Sequence, residues 1–122
     1  MELTVRDRIN LLNFPYPKRS GIVTQIVIRE ITKKIGFTTD EIKDFGLKDH
    51  PDGSVEWDVK RAKSKNVEFK DAEHDIISDM VNKLDEAEQI TPDSLDTCMK
   101  FYRKQKSERK NKDEQVKTGG KK

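Results

Sequence analysis

The side chains most able to do chemistry in this 122-residue sequence are two histidines, a single cysteine and a large set of carboxylates. His50 falls beside the turn-forming Pro51-Asp52-Gly53, and His74 falls in the first turn of an acidic helix, with only Asp71 and Asp75 as local company. A zinc site needs several ligands converging from paired spacings. Nothing of that kind surrounds either residue, so both are read as solvated surface histidines, with no metal expected. Cys98 shares an apolar helix face with Met99 and Tyr102. A nucleophilic cysteine needs an adjacent base and an environment that lowers its pKa. The spacing places neither histidine to serve it, and Cys98 is read as a small buried hydrophobe. None of the carboxylates sits in an apolar context that would raise its pKa for acid–base work. Asp71, Glu73, Asp75, Asp79, Asp85, Glu86 and Glu88 ring one helix, within 71–88, as a solvated face or a docking surface for a basic partner. No glycine-rich phosphate loop occurs. The expectation is a chain that is not an enzyme and takes no cofactor.

The basic residues suggest a different class of function. Lys60, Arg61, Lys63 and Lys65 lie close together between two strand-like segments, and Arg109 and Lys110 lie in a lysine-rich C-terminal stretch. Such residues bind phosphate non-specifically by releasing counterions. Of the 25 basic and 23 acidic residues, nine basic and three acidic fall in 103–122, leaving sixteen and twenty in 1–102. The body is therefore mildly acidic and the tail basic. The order helix, short helix, hairpin, helix is also used by winged-helix domains, in which the second helix enters the major groove. Here that helix, Thr39–Phe45, carries Asp40, Glu41 and Asp44 against Lys43, a balance that phosphate would repel.

These side chains need elements to hold them. Only 32% of the residues are hydrophobic and 39% are charged, against roughly 45–50% (glycine included) and about 25% in typical domains. The core must be small. Val5, Ile9 and Leu12 share a helical face after Thr4, and Pro15 and Pro17 end that helix. The strongest apolar run, Ile22 to Ile35, follows the rhythm of a buried helix face, with Ser20 as its cap and Gly36 as its stop. Thr38 and Glu41 form a capping box, with Phe37 and Ile42 placed as a hydrophobic staple. Between Leu47 and Lys70 the period falls to two. Val55, Trp57 and Val59 share one strand face, which predicts that Trp57 is largely buried against Ile26, Ile31 or Leu84. Asp71 is the expected cap of a helix with Ile76, Ile77, Met80, Val81 and Leu84 inward. Thr91 caps the last helix, with Pro92 first in it and Ile90 stapled to Leu95, and that helix presents Leu95, Cys98, Met99 and Tyr102. Beyond it the apolar residues all but vanish.

The predicted fold class is α+β: four or five short helices packed with a small antiparallel two- or three-stranded β-meander. Helices are expected near 20–35, 38–45, 72–88 and 92–105, with a shorter one in 3–14. Residues 1–105 form one domain and 106–122 a disordered basic tail. The segment Ile26–Trp57, with "KIGFTTDEIKDFGLK" and "DGSVEWD", and the later "ITPDSLDTCMKFY" resemble small uncharacterised proteins encoded by phages and prophages. The resemblance would cover most of residues 9–102. It carries fold information rather than chemistry, and implies a compact accessory protein that binds another protein. A lone cysteine and the lack of any apolar run of membrane-spanning length point to a reducing cytoplasmic setting and no membrane. The leading expectation is a protein-interaction partner. The rival is non-specific nucleic-acid contact through Lys60–Lys65 and the tail.

Overall fold

The computed structural model describes residues 1–103; the expected tail over 106–122, with Arg109 and Lys110, lies outside the described residues. The elements run β1 (Glu2–Leu3), α1 (Val5–Leu12), α2 (Ile22–Ile35), α3 (Thr39–Phe45), β2 (Lys48–Asp49), β3 (Val55–Glu56), β4 (Lys65–Asn66), α4 (Asp71–Glu86) and α5 (Pro92–Phe101). The fold is α+β. Among the described residues two antiparallel ribbons accompany five helices: β2 pairs with β3 as a hairpin, and β4 pairs with β1, Leu3 opposite Lys65. The third strand of the expected meander thus turns away from the hairpin and takes the N-terminal strand as its partner.

Local signals place most of the helix ends. Thr4, Thr38 and Thr91 each accept a backbone N–H from the third residue of their helix, completing capping boxes. Two caps differ from expectation. Gly21, not Ser20, precedes α2 and supplies no side-chain cap, because the Ser20 hydroxyl accepts from Gln25 Nε2 instead. Lys70, not Asp71, precedes α4, and its backbone N–H donates to Glu73 at 2.8 Å.

The core joins Leu3, Leu11, Phe14, Ile31, Ile35, Val67, Ile77, Met80, Val81, Cys98 and Phe101. Helix α1 packs on α5 and α2, and α4 packs on α2 and α5. Three helix faces differ from the reading of their apolar residues. On α1 the buried residues are Val5, Asp7, Arg8 and Leu11, while Ile9 is half-buried and Leu12 exposed. On α5 they are Thr97, Cys98 and Phe101, leaving Leu95, Met99 and Tyr102 exposed. On α2 only Ile31 and Ile35 are buried, whereas Ile22 is 78% exposed and Val23 71%.

Long-range pairing of charged groups explains the rotation of α1 and α5. Asp7 accepts from the Thr97 hydroxyl at 2.6 Å and from Lys100, so a carboxylate and a threonine are satisfied where an apolar pair was expected. Burial pushes the Asp7 carboxyl up, but hydrogen bonds from Lys100 and Thr97 outweigh it and hold it below the usual range. Arg8 is fully buried. Its guanidinium meets Glu41 through two bonds of 2.8 and 2.9 Å and donates to the carbonyls of Ile35 and Gly36, the open end of α2. Such a fork satisfies carboxylate and backbone together.

Trp57 is not in the core. The chain leaves β3 after Glu56, and the Asp58 N–H donates to the Phe45 carbonyl while Asp58 accepts from Arg61 and Ala62. This turn ends the alternation before it can bury a third residue. Trp57 is half-buried beneath the Arg6 guanidinium, 5.3 Å from its ring, and Val59 is exposed.

Candidate partner-binding cleft

The apolar residues that α1 does not bury line a cleft. Ile9, Leu12 and Asn13 form one wall, Phe37, Ile42 and Leu47 a second, and Asp49 and Val55 of the hairpin a third, around about 270 Å³. An apolar cavity of about 150 Å³ accommodates benzene. The cleft therefore has room for one large aliphatic or aromatic side chain.

Local sequence chemistry fixes its second wall. Phe37 and Ile42 occupy the staple positions on either side of the Thr38–Glu41 capping box, whose two bonds are both 3.0 Å. At the other end of α3, Gly46 adopts a left-handed conformation (φ 66°), the Leu47 N–H donates to Ile42 and the Gly46 N–H to Lys43. This is a Schellman closure, which favours apolar contact between the two residues it joins, here Ile42 and Leu47. Behind Phe37 the Arg8 guanidinium lies 4.0 Å from the ring centroid. Glu41 caps α3 and pairs with Arg8 at once, and the Arg8 hydrogen bonds hold its carboxyl down at about 2. The hairpin wall is set by Gly53 (φ 89°), whose N–H donates to His50, and by Ser54, which donates to Asp52.

The four basic residues of the 60–65 segment serve two purposes. Arg61 donates to the carbonyls of Asp44 and Lys43 at 2.7 and 2.8 Å, closing the C-terminus of α3, and Lys65 donates to Lys34 O, closing that of α2. Cations at helix C-termini compensate the macrodipole. Lys60 and Lys63 are exposed. Arg109 and Lys110 lie outside the described residues.

The chemically capable residues do not converge with the cleft. His50 pairs with Glu56 across the hairpin at 2.9 Å. His74 lies against Phe101, and its Nδ1 accepts from Arg103 at 2.7 Å; burial, then the Arg103 charge, push its pKa down. Arg103 also pairs with Asp75. Cys98 is buried, and burial pushes its thiol pKa up. Glu73, unlike its acidic neighbours on α4, is buried on Lys34 at 2.6 Å; Asp71, Asp75, Asp79, Asp85, Glu86 and Glu88 are exposed. Among the described residues no group of three His, Cys, Asp or Glu side chains is arranged to hold a metal ion, and no helix is long and apolar enough to cross a membrane. The staple, the capping box and Val55 were legible as structural signals in the sequence. Ile9 and Leu12 were not legible as cleft residues, because their spacing is also that of a core face.

Neither a family model, nor a curated protein, nor a solved structure matches the chain.

Proposed function

We propose that the chain is a non-enzymatic interaction protein that receives a large apolar side chain of a partner protein in the cleft between α1, α3 and the β2–β3 hairpin. The observation that carries this reading is the cleft itself. Six apolar residues from three sequence regions wall it, and Leu12 and Ile42 are 36% and 46% exposed. Exposed apolar side chains gathered in a concave setting mark binding surfaces more than scattered ones do. Asn13 and Asp49, on two different walls, suit a hydrogen-bond donor or cation next to the anchoring side chain. An accessory role, as in the small phage and prophage proteins the sequence resembles, in the cytoplasm, accords with this reading. The nucleic-acid reading draws less support, since two of the four basic side chains in 60–65 are committed to helix ends.

Affinity capture from the native cell, with wild type and an Ile42→Glu variant, with and without nuclease, tests the proposal. Partners that survive nuclease and are lost with Ile42→Glu are expected. Partners lost with nuclease and indifferent to Ile42→Glu would replace this reading with the nucleic-acid one. Circular dichroism of the variant establishes that it folds.

A further inference from the structure

The most apolar helix among the described residues leaves half of itself uncovered. Ile22, Val23 and Ile26 are exposed at 78%, 71% and 45%, one above the other on the first two turns of α2. Residues three and four apart on a helix form one continuous stripe. Towards the preceding loop their charged neighbours are of one sign, and Glu30, one turn beyond Ile26, is paired with Lys33 at 3.6 Å. From Arg8 to Arg29 the sequence contains no Asp or Glu, while Lys18, Arg19 and Arg29 flank the stripe. This stretch belongs to a body, residues 1–102, that is acidic overall.

We infer that the N-terminal half of α2 is a second docking surface, separate from the cleft, and that its occupant is an amphipathic helix of another protein whose apolar face is bordered by acidic residues. Apolar stripes bind helices through anchors at i, i+3, i+4 and i+7, and charge at the rim selects the partner. The basic border selects acid. The same border disfavours a second copy of this chain, since parallel pairing of two α2 helices would set Arg29 against itself with the basic Lys18 and Arg19 of both loops at the same end. A shallow groove runs between the side chains of Ile22, Gln25, Ile26, Ile28 and Arg29, all on α2. Gaps of this kind between neighbouring side chains are what a facing helix fills with its own side chains.

Selection from a displayed library of helical peptides tests this, with the full chain as bait and the full-length Ile26→Glu variant for counter-selection. The variant keeps every basic residue, so peptides held by the basic C-terminal stretch alone are removed. Enrichment of peptides with apolar residues at helical spacing and Asp or Glu beside them is expected. In anisotropy titrations these should bind at least tenfold more weakly to Ile26→Glu and to Val23→Glu, and more weakly as salt rises. Ile42→Glu should bind them as wild type does, which separates this surface from the cleft. Enriched peptides without acidic borders, or no peptide that distinguishes the variants, would overturn the inference. So would phosphatidylserine vesicle binding, or self-association in sedimentation, that Ile26→Glu abolishes. Circular dichroism must show both α2 variants folded; should Ile26→Glu unfold, Val23→Glu decides alone.

Discussion

The two halves of α2 have fates opposite to their compositions: Ile22–Ile28 holds five apolar residues and no charge, whereas Arg29–Ile35 holds two apolar residues and four charged ones. Ile31 and Ile35 have no exposed surface, while Ile22 and Val23 are mostly exposed. Hydrophobicity alone would bury the wrong half. The difference is in the polar chemistry around each end. At the C-terminal end the open carbonyls meet Arg8 and Lys65, and Lys34 reaches Glu73 and the Glu68 carbonyl. At the N-terminal end α2 begins at an uncapped glycine with no acidic residue in the first turn, and Gln25, through Pro17 O and Ser20, is its main tether to the preceding loop. An apolar helix is buried where its ends are satisfied by the rest of the fold, and left free where they are not.

That contrast can be broken most severely at Arg8. Arg8→Ala leaves Glu41 and the α2 carbonyls without their partner, and breaking a buried pair in this way costs about 3–5 kcal/mol. Chemical denaturation should show that loss, or a chain that no longer folds. Next in size is Ile35→Ala, expected to cost ~2–5 kcal/mol as a core truncation; a cost near zero would mean that the two halves of the helix are not energetically distinct.

Acid probes the same anchor. Glu41 has its folded-state pKa at about 2, below its ordinary 4.5. The folded state therefore resists protonation, and the stability that ionised Glu41 contributes is present above about pH 4.5 and lost as pH falls towards 2. Asp7 and Glu73 are shifted in the same direction. In Glu41→Gln, folding stability measured across that window should fall less steeply than in wild type.

The free half predicts small effects. In the loop that leads into it, the Tyr16 hydroxyl is buried with no hydrogen-bond partner among the described residues, and burial pushes its pKa up. Removing an unpaired buried hydroxyl is neutral or favourable, so Tyr16→Phe should leave the thermal midpoint unchanged or raise it, by up to about 1 kcal/mol in stability. Smallest of all, Ile22→Ser should change stability by no more than about 0.5 kcal/mol, as exposed substitutions usually do.

How far the sequence discloses this arrangement depends on the range of each interaction. Thr38 with Glu41, Thr91 with Pro92, and Pro51-Asp52-Gly53 act over a few residues, and the turn and the starts of their helices stand where the sequence puts them, although α5 stops at Phe101, short of the expected 105. The face of α4 is read nearly as well: Ile77, Met80 and Val81 are inward as expected, and the polar Glu73 and Ser78 join them through Lys34 and the Phe101 carbonyl. The faces of α1 and α5 are not, since Asp7 belongs inside only when Thr97 and Lys100 stand against it, and Arg8 only when Glu41 does. Neither pairing leaves a local trace. The cleft inherits this blind spot. Phe37, Ile42 and Val55 are marked by staple and strand, but Ile9 and Leu12 become its wall only because charged neighbours take the inward positions on α1.

The pairing of β1 with β4 and of Asp7 with α5 also has a consequence for how the chain is made. Asp7 and Lys100 stand 93 positions apart, and a ribosome adds roughly 5–20 residues per second. For about 5–20 s the Glu2–Leu3 strand and α1 are synthesised and waiting, with Leu3, Leu11 and the Asp7 carboxylate lacking the partners that will cover them. A folding helper that shields nascent apolar segments would meet its substrate in that interval, and release would come only once α5 has emerged.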